Sequence, residues 1–238
     1  MIRTAADEIP AAVAGRLRHL AADPAAFPAV GDWVAIDRSS DEAGTAQGGE
    51  ARIHAVLPRI SSFSRRGAGK LPTEQVLAAN IDTVLLVSAL DGDFNPRRLE
   101  RYLALAWSSG AAPVVVLNKS DLCDDIPHRV RQVREIAGDV PVHIVSGVLG
   151  LGVDELRAYI TPGQTAAFLG SSGVGKSTLV NALLGTQRQA TGAVREDDAR
   201  GRHTTTARQL LRLPGGGLLI DTPGMRELQL WDAAEGLE

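Results

Sequence analysis

Apolar and polar positions along this chain follow two different rhythms. From Val30 to about residue 57 the apolar stretches are short, Val30-Gly-Asp-Trp-Val-Ala-Ile36 and then Ala51-Arg-Ile-His-Ala-Val-Leu57, which alternates, the two separated by a polar Ser/Asp/Gly loop that runs to Gly49. A period of two marks half-buried strands, and short strands joined by turns predict a small β-barrel. The Ala-rich segment before it is ambiguous, because Ile9 to Leu20 fits helix and strand periods alike. Gln75 to Asp82 reads as a connector. From Thr83 onward the apolar positions come in runs: Thr83 to Ala89 and Pro113 to Leu117 carry the mark of strands buried on both faces, and further strands are expected at Val140 to Val145 and in the apolar run Thr165 to Leu169. Between them lie segments with helical spacing. Asn95-Pro96 supplies an N-cap and a first helical residue for Leu99, Tyr102, Leu103 and Ala106; further helices are expected around Ile126 to Ile136, Val153 to Tyr159 and Leu179 to Leu184. Arg208 to Leu213 and Gly217 to Ile220, joined by Pro214-Gly-Gly-Gly217, predict a hairpin.

Strands alternating with helices imply a mostly parallel sheet wrapped by helices, with its ligand at the carboxyl ends of the strands. The expected architecture is an α/β P-loop domain over residues 83–238, preceded by a small all-β domain over 1–72 and a linker over 73–82. A chain of 238 residues, 44% apolar and 22% charged, has enough material for that core. The net charge of −3 excludes a surface coated in basic residues, so any nucleic-acid contact must be a local patch. One candidate is the stretch from Ala51 to Thr73, which holds Arg52, Arg59, Arg65, Arg66 and Lys70 around Phe63 and has no Asp or Glu. It reads equally as a solvated face or as an RNA-contacting surface. A single cysteine, Cys123, rules out an internal disulfide and a cysteine-rich zinc site, which points to a reducing compartment. No apolar stretch approaches transmembrane length, and Asp7, Glu8 and Asp23 stand where a signal peptide would be apolar. A cytoplasmic protein without membrane association is expected.

The chemistry concentrates in Gly170-Ser171-Ser172-Gly173-Val174-Gly175-Lys176-Ser177-Thr178, between a strand and a helix. This is the spacing of a P-loop: the glycines let backbone N–H groups turn inward as a nest for phosphate oxygens at a helix N-terminus. Lys176 can reach the β- and γ-phosphates, and the Ser177 hydroxyl suits Mg²⁺. Asn118-Lys119-Ser120-Asp121 follows the strand that ends at Leu117. An ionised Asp121 accepts two parallel hydrogen bonds, and guanine offers two adjacent donors, N1–H and the exocyclic amine, where adenine presents a lone pair. Asn118 can brace this pocket against the P-loop, and the stem of Lys119 can lie over the base. A backbone N–H at Ser146-Gly147 is placed to hold the guanine carbonyl. In Asp221-Thr-Pro-Gly224, Asp221 can hold a Mg²⁺ water and the Gly224 N–H can meet a γ-phosphate. Arg202-His-Thr-Thr-Thr206 offers a threonine hydroxyl as a second ligand to Mg²⁺, with Thr205 the expected one and Thr204 and Thr206 as alternatives.

These motifs resemble the five GTPase signatures in a rotated order: base-reading loop, Ser-Gly, P-loop, threonine loop, Asp-Thr-Pro-Gly. With Val30-Gly-Asp-Trp-Val34, Asn80-Ile-Asp82 and Gly201-Arg-His-Thr-Thr-Thr206, nearly the whole chain resembles the bacterial ribosome small-subunit-dependent GTPases. The resemblance implies an N-terminal OB-fold, a circularly permuted GTPase domain that binds GTP or GDP with Mg²⁺, and a role in late maturation of the 30S subunit. The 30S subunit and its 16S rRNA would be the partners, and a monomer is expected. Met225 occupies the place of the water-positioning Gln of Ras-like enzymes, and a thioether cannot orient water. His203 is the nearest candidate for that role, as the resemblance also suggests. Relatives commonly begin with a further barrel strand and continue into a zinc domain; neither is visible in this sequence, and no zinc is assigned. Gly147 stands where the family commonly has Ala. Two alternatives stand beside this reading: one of another class, an rRNA-binding assembly factor whose affinity is set by nucleotide with hydrolysis incidental, and a permuted GTPase serving the large subunit.

Overall fold

The computed structural model describes residues 1–21, 23–38, 51–66, 74–186 and 209–221. Its N-terminal part is made of short strands. Strands β1 (Ile2–Arg3) and β2 (Glu8–Ile9) pair antiparallel, and β3 (Ala11–Val13) leads into a short helix α1 (Gly15–Leu20). The ambiguous segment therefore contains both kinds of element. Strands β4 (Val34–Arg38) and β5 (Ala51–Val56) pair antiparallel, with β3 on the other side of β5. Along β5 the alternation holds where it decides the facing, since Ala51 and Ile53 are buried while Arg52 and His54 are exposed. Val30 lies outside β4 and makes an isolated parallel bridge to Ala78.

That bridge corrects the expected linker. Residues 74 to 79 form a strand, β7 (Glu74–Ala79), paired antiparallel with β6 (Ser62–Arg66). Val76, Leu77, Ala78 and Ala79 are all buried. A solvated connector cannot bury four consecutive residues, whereas a strand covered on both sides does. Only Asn80, Ile81 and Asp82 then separate β7 from the next strand, and they form a tight joint. Asn80 adopts a left-handed φ of 54°, its side-chain carbonyl accepts from the Ile60 N–H at 3.0 Å, and its amide donates to the Gly31 carbonyl at 3.0 Å. The Asp82 carboxylate accepts from the Thr165 N–H at 2.7 Å.

The rest of the chain is a six-stranded sheet. Its strands in chain order are β8 (Thr83–Ala89), β9 (Ala112–Asn118), β10 (Val142–Ile144), β11 (Thr165–Leu169), β12 (Gln209–Arg212) and β13 (Leu218–Asp221), and their spatial order is β10-β9-β8-β11-β13-β12. All neighbours run parallel except the hairpin of β12 and β13. Every residue of β8 is buried. Helix α2 (Pro96–Ser109) starts as expected, with the Asn95 side chain accepting from the Arg98 N–H and Pro96 in the first turn. With α3 (Ile126–Ala137) it covers one face, where Leu99, Leu103 and Val133 pack on Val84, Leu86, Val115 and Leu117. Phe63, Ala78 and Ile81 from the N-terminal part join this same cluster. Helix α4 (Lys176–Leu184) and a 3₁₀ segment, Val153–Tyr159, cover the other face through Leu179, Leu183, Val153 and Leu156. Helices on both faces leave the carboxyl edge of five parallel strands open for ligand chemistry.

Candidate nucleotide site

Four of the predicted motifs leave that one edge, joined by a turn that the sequence did not single out. The base-reading loop follows β9, Ser146-Gly147 follows β10, the P-loop joins β11 to α4, Asp221 ends β13, and a turn at Asp91 to Asp93 follows β8. Sequence-distant residues are thus brought together by the sheet alone. The P-loop needs its glycines. Gly175 has a φ of 95°, and a Cβ there would lie 2.3 Å from the Asn118 amide nitrogen; a Cβ on Gly170 would lie 2.4 Å from the Val87 carbonyl oxygen. Lys176 is buried, and its ammonium donates to the Gly170 and Ser171 carbonyls at 2.6 and 2.5 Å. Gly173 and Ser172 are exposed at the turn, Val174 is packed in the core, and Ser177 and Thr178 are half-buried in the first turn of α4.

Asn118 bolts the base loop to the phosphate loop. It is 2% exposed, its amide donates to the Val174 carbonyl at 2.8 Å, and its side-chain oxygen accepts from the Gly147 N–H at 3.0 Å. The Gly147 N–H, expected to reach a guanine carbonyl, is therefore committed to Asn118. The Ser146 N–H is likewise taken, donating to the Leu151 carbonyl at 2.9 Å. What Ser146 contributes instead is its hydroxyl, which donates to Asp121 Oδ1 at 2.5 Å and accepts from the Leu149 N–H at 3.2 Å. Asp121 itself is exposed and sits in a single 3₁₀ turn, Ser120–Leu122, entered through Lys119 at a left-handed φ of 62°. The Ser120 N–H donates to the Val145 carbonyl at 3.1 Å, so Ser120 ties β10 to the loop.

Asp221 is 9% exposed at the end of β13, next to the strand that feeds the P-loop. Among the described residues no three His, Cys, Asp or Glu side chains gather to hold a metal ion. His203, Thr204, Thr205, Thr206, Gly224 and Met225 lie outside the described residues. Two groups were missed by sequence reasoning: Asp91, which pairs with Lys119, and Asp93, which accepts from Ser171. In the sequence they form Asp91-Gly-Asp93, which has the composition of an ordinary turn.

The cationic stretch also reads differently in three dimensions. Arg59 grips Asp32 with two nitrogens, at 2.8 and 2.7 Å, and donates to the Ala25 and Phe27 carbonyls at 2.7 and 3.0 Å. These donors are spent on the fold, and its hydrogen bonding to the Asp32 carboxylate outweighs desolvation and holds its pKa above the ordinary value. Arg65 bonds Gln75 at 2.9 Å across β6 and β7. Arg52 is exposed, and Lys70 lies outside the described residues.

Residues 56–231 match the family model described as RsgA GTPase. The chain belongs to the RsgA GTPase family. Among curated members, it is 52% identical over 228 residues to the small ribosomal subunit biogenesis GTPase RsgA 2 of Lactiplantibacillus plantarum, covering 96% of this chain and 62% of that protein. It is 54% identical over 239 residues to the small ribosomal subunit biogenesis GTPase RsgA of Opitutus terrae, covering 99% of this chain and 65% of the relative. The chain therefore spans somewhat less than two thirds of the length of these RsgA proteins. Among solved structures, YjeQ from Thermotoga maritima superposes with a TM-score of 0.65 at 29% identity, over 92% of this chain and 67% of that one. YloQ, a circularly permuted GTPase, superposes with a TM-score of 0.54 at 21% identity over 86% of this chain and 60% of its own, a likeness of fold. The fold of this RsgA chain is a circularly permuted P-loop GTPase domain, mostly parallel, behind a small OB-like β domain. No helix among the described residues is long and apolar enough to cross a membrane.

Proposed function

We propose that this chain hydrolyses GTP and acts as a switch in late maturation of the small (30S) ribosomal subunit, which stimulates it. The observation that carries the reading is Asn118, which fastens the guanine-type loop of Asp121 directly to the phosphate loop of Lys176. The names of the RsgA relatives point the same way. Asp121, held by the Ser146 hydroxyl on one oxygen, keeps lone pairs on both oxygens for the two donors of guanine. Lys176 and the loop amides receive the phosphates. Ser177 and Asp221 are hard oxygen donors and fit the Mg²⁺ that accompanies GTP, with Thr205 as a further ligand. When bound, that ion neutralises charge on the phosphate oxygens. His203 positions the attacking water and Gly224 meets the γ-phosphate. The small β domain, which β7 extends to Ala79, would serve as the rRNA-contacting domain on the 30S particle, and residues 83–238 as the GTPase domain.

Phosphate release measured with and without 30S subunits tests the reading. Turnover is expected to be slow alone and to rise with 30S subunits but not with 50S subunits; nucleotide-dependent 30S binding without stimulation would instead favour an assembly factor in which hydrolysis is incidental. His203→Ala is expected to lower stimulated turnover about 10²-fold with GTP affinity retained, the loss usual for a proton-handling or water-orienting group. Unchanged stimulated turnover would remove His203 from that role.

A further inference from the structure

The turn after β8 carries charge that the proposed function leaves unused. Asp91 divides its two oxygens: Oδ2 accepts from Lys119 Nζ at 2.7 Å, and Oδ1 accepts from the Asp93 N–H at 2.9 Å. Asp93 Oδ2 in turn accepts from the Ser171 hydroxyl of the P-loop at 3.0 Å and from Arg98 at 2.7 Å. The Asp91 side chain is 26% and the Lys119 side chain 27% exposed, so the pair is half-sheltered from solvent. Burial pushes the Asp91 carboxyl upward, but the Lys119 hydrogen bond and the Asp93 and Asp91 backbone N–H groups outweigh it and hold the group below its ordinary range.

Lys119 stands between Asn118 and Asp121, in a backbone conformation that side-chain-bearing residues seldom adopt. A free lysine here would sample many rotamers, because its ammonium is strongly hydrated and its four-carbon stem flexible. Asp91 removes that freedom.

We propose that Asp91 is a positioning residue for the guanine base: by fixing the Lys119 ammonium it lays the lysine stem as an apolar shelf for the purine. The inference rests on the guanine-nucleotide reading of the site. Its reach extends to the phosphates, because the same turn, through Asp93, holds Ser171. The base-reading loop and the phosphate loop therefore share one short turn, through Asp91 to Lys119 and through Asp93 to Ser171.

The test is the dissociation rate of a fluorescent GDP analogue from wild-type protein, Asp91→Asn, Lys119→Met and the double variant. Asparagine keeps an oxygen for the Asp93 N–H but cannot accept from the ammonium at its nitrogen, so it severs the ion pair alone. Asp91→Asn is expected to release the analogue about tenfold faster, the scale of one charge-assisted hydrogen bond partly open to water. Preference for GDP over ADP should stay, since Asp121 sets it. The double variant should be no faster than Lys119→Met, because Asp91 acts through Lys119. A wild-type rate in Asp91→Asn, or rate increases that multiply in the double variant, would overturn the assignment. If Asp91→Asn does not fold, Asp91→Ser, whose hydroxyl also accepts from an N–H two residues on, carries the same expectation. Wild-type protein that fails to bind the analogue, or that binds ADP as well, overturns the guanine reading and this inference with it; intact wild-type binding with an unaffected variant removes Asp91 only.

Discussion

Replacing Asp121 by asparagine is expected to weaken GDP binding on the order of 10³-fold, the scale on which a site built from paired hydrogen bonds rejects a mismatched partner. Asparagine presents one acceptor and one donor, which matches the N1–H and C2 carbonyl of xanthine and mismatches the two donors of guanine. Xanthosine diphosphate should therefore gain what GDP loses. Isothermal titration of both nucleotides against wild-type and variant protein checks the exchange. The Ser146 hydroxyl is the neighbour that makes the swap clean: it donates to Asp121 Oδ1, and the asparagine carbonyl accepts the same bond, which turns the amide toward the base. An unchanged preference for guanine would mean that the base is read elsewhere.

The second large effect lies far from the nucleotide. Arg59→Ala is expected to cost about 3 kcal/mol of stability, because it strands a carboxylate inside the protein. The Asp32 side chain is only 1% exposed and also accepts from the Ala29 N–H at 2.7 Å. Removing the guanidinium leaves the Ala25 and Phe27 carbonyls without their donor as well. Arg59→Lys should recover only a minor part, since a point-like ammonium cannot serve two carboxylate oxygens and two carbonyls from one place. Urea unfolding followed by circular dichroism measures both variants, and a loss below about 1 kcal/mol, the range of an exposed ion pair, would show that this grip is not a support of the fold.

The nucleotide half was legible because its signals are local. β8 is a continuous apolar run, α2 announces itself with Asn95-Pro96, and the loops carry motifs whose chemistry dictates their spacing. Their convergence could be read too, since parallel strands send their carboxyl ends to one edge. What stayed hidden depends on partners far along the chain. Read from sequence, β7 looks like a connector because it opens on the polar Glu74 and Gln75 and ends on Ala78 and Ala79, which have little strand propensity. β1, β2 and β3 are two or three residues long, too short to show any period. Arg59 looked like surface charge, and only Asp32, 27 positions earlier, reveals it as an internal strut. The Gly147 N–H looked available until the fold placed the Asn118 side-chain oxygen beside it.

The joint at Asn80 has a mechanical meaning. Three residues lead from the last strand of the small β domain into a central strand of the nucleotide sheet, pinned on one side to Gly31 and Ile60 and on the other to Thr165. Such a splice has no slack, so force arriving at one body is handed to the other as through a rod, not a cord. A load on β7 would be felt one strand-length away at Ala89, two residues before the turn at Asp91 that holds both Lys119 and Ser171.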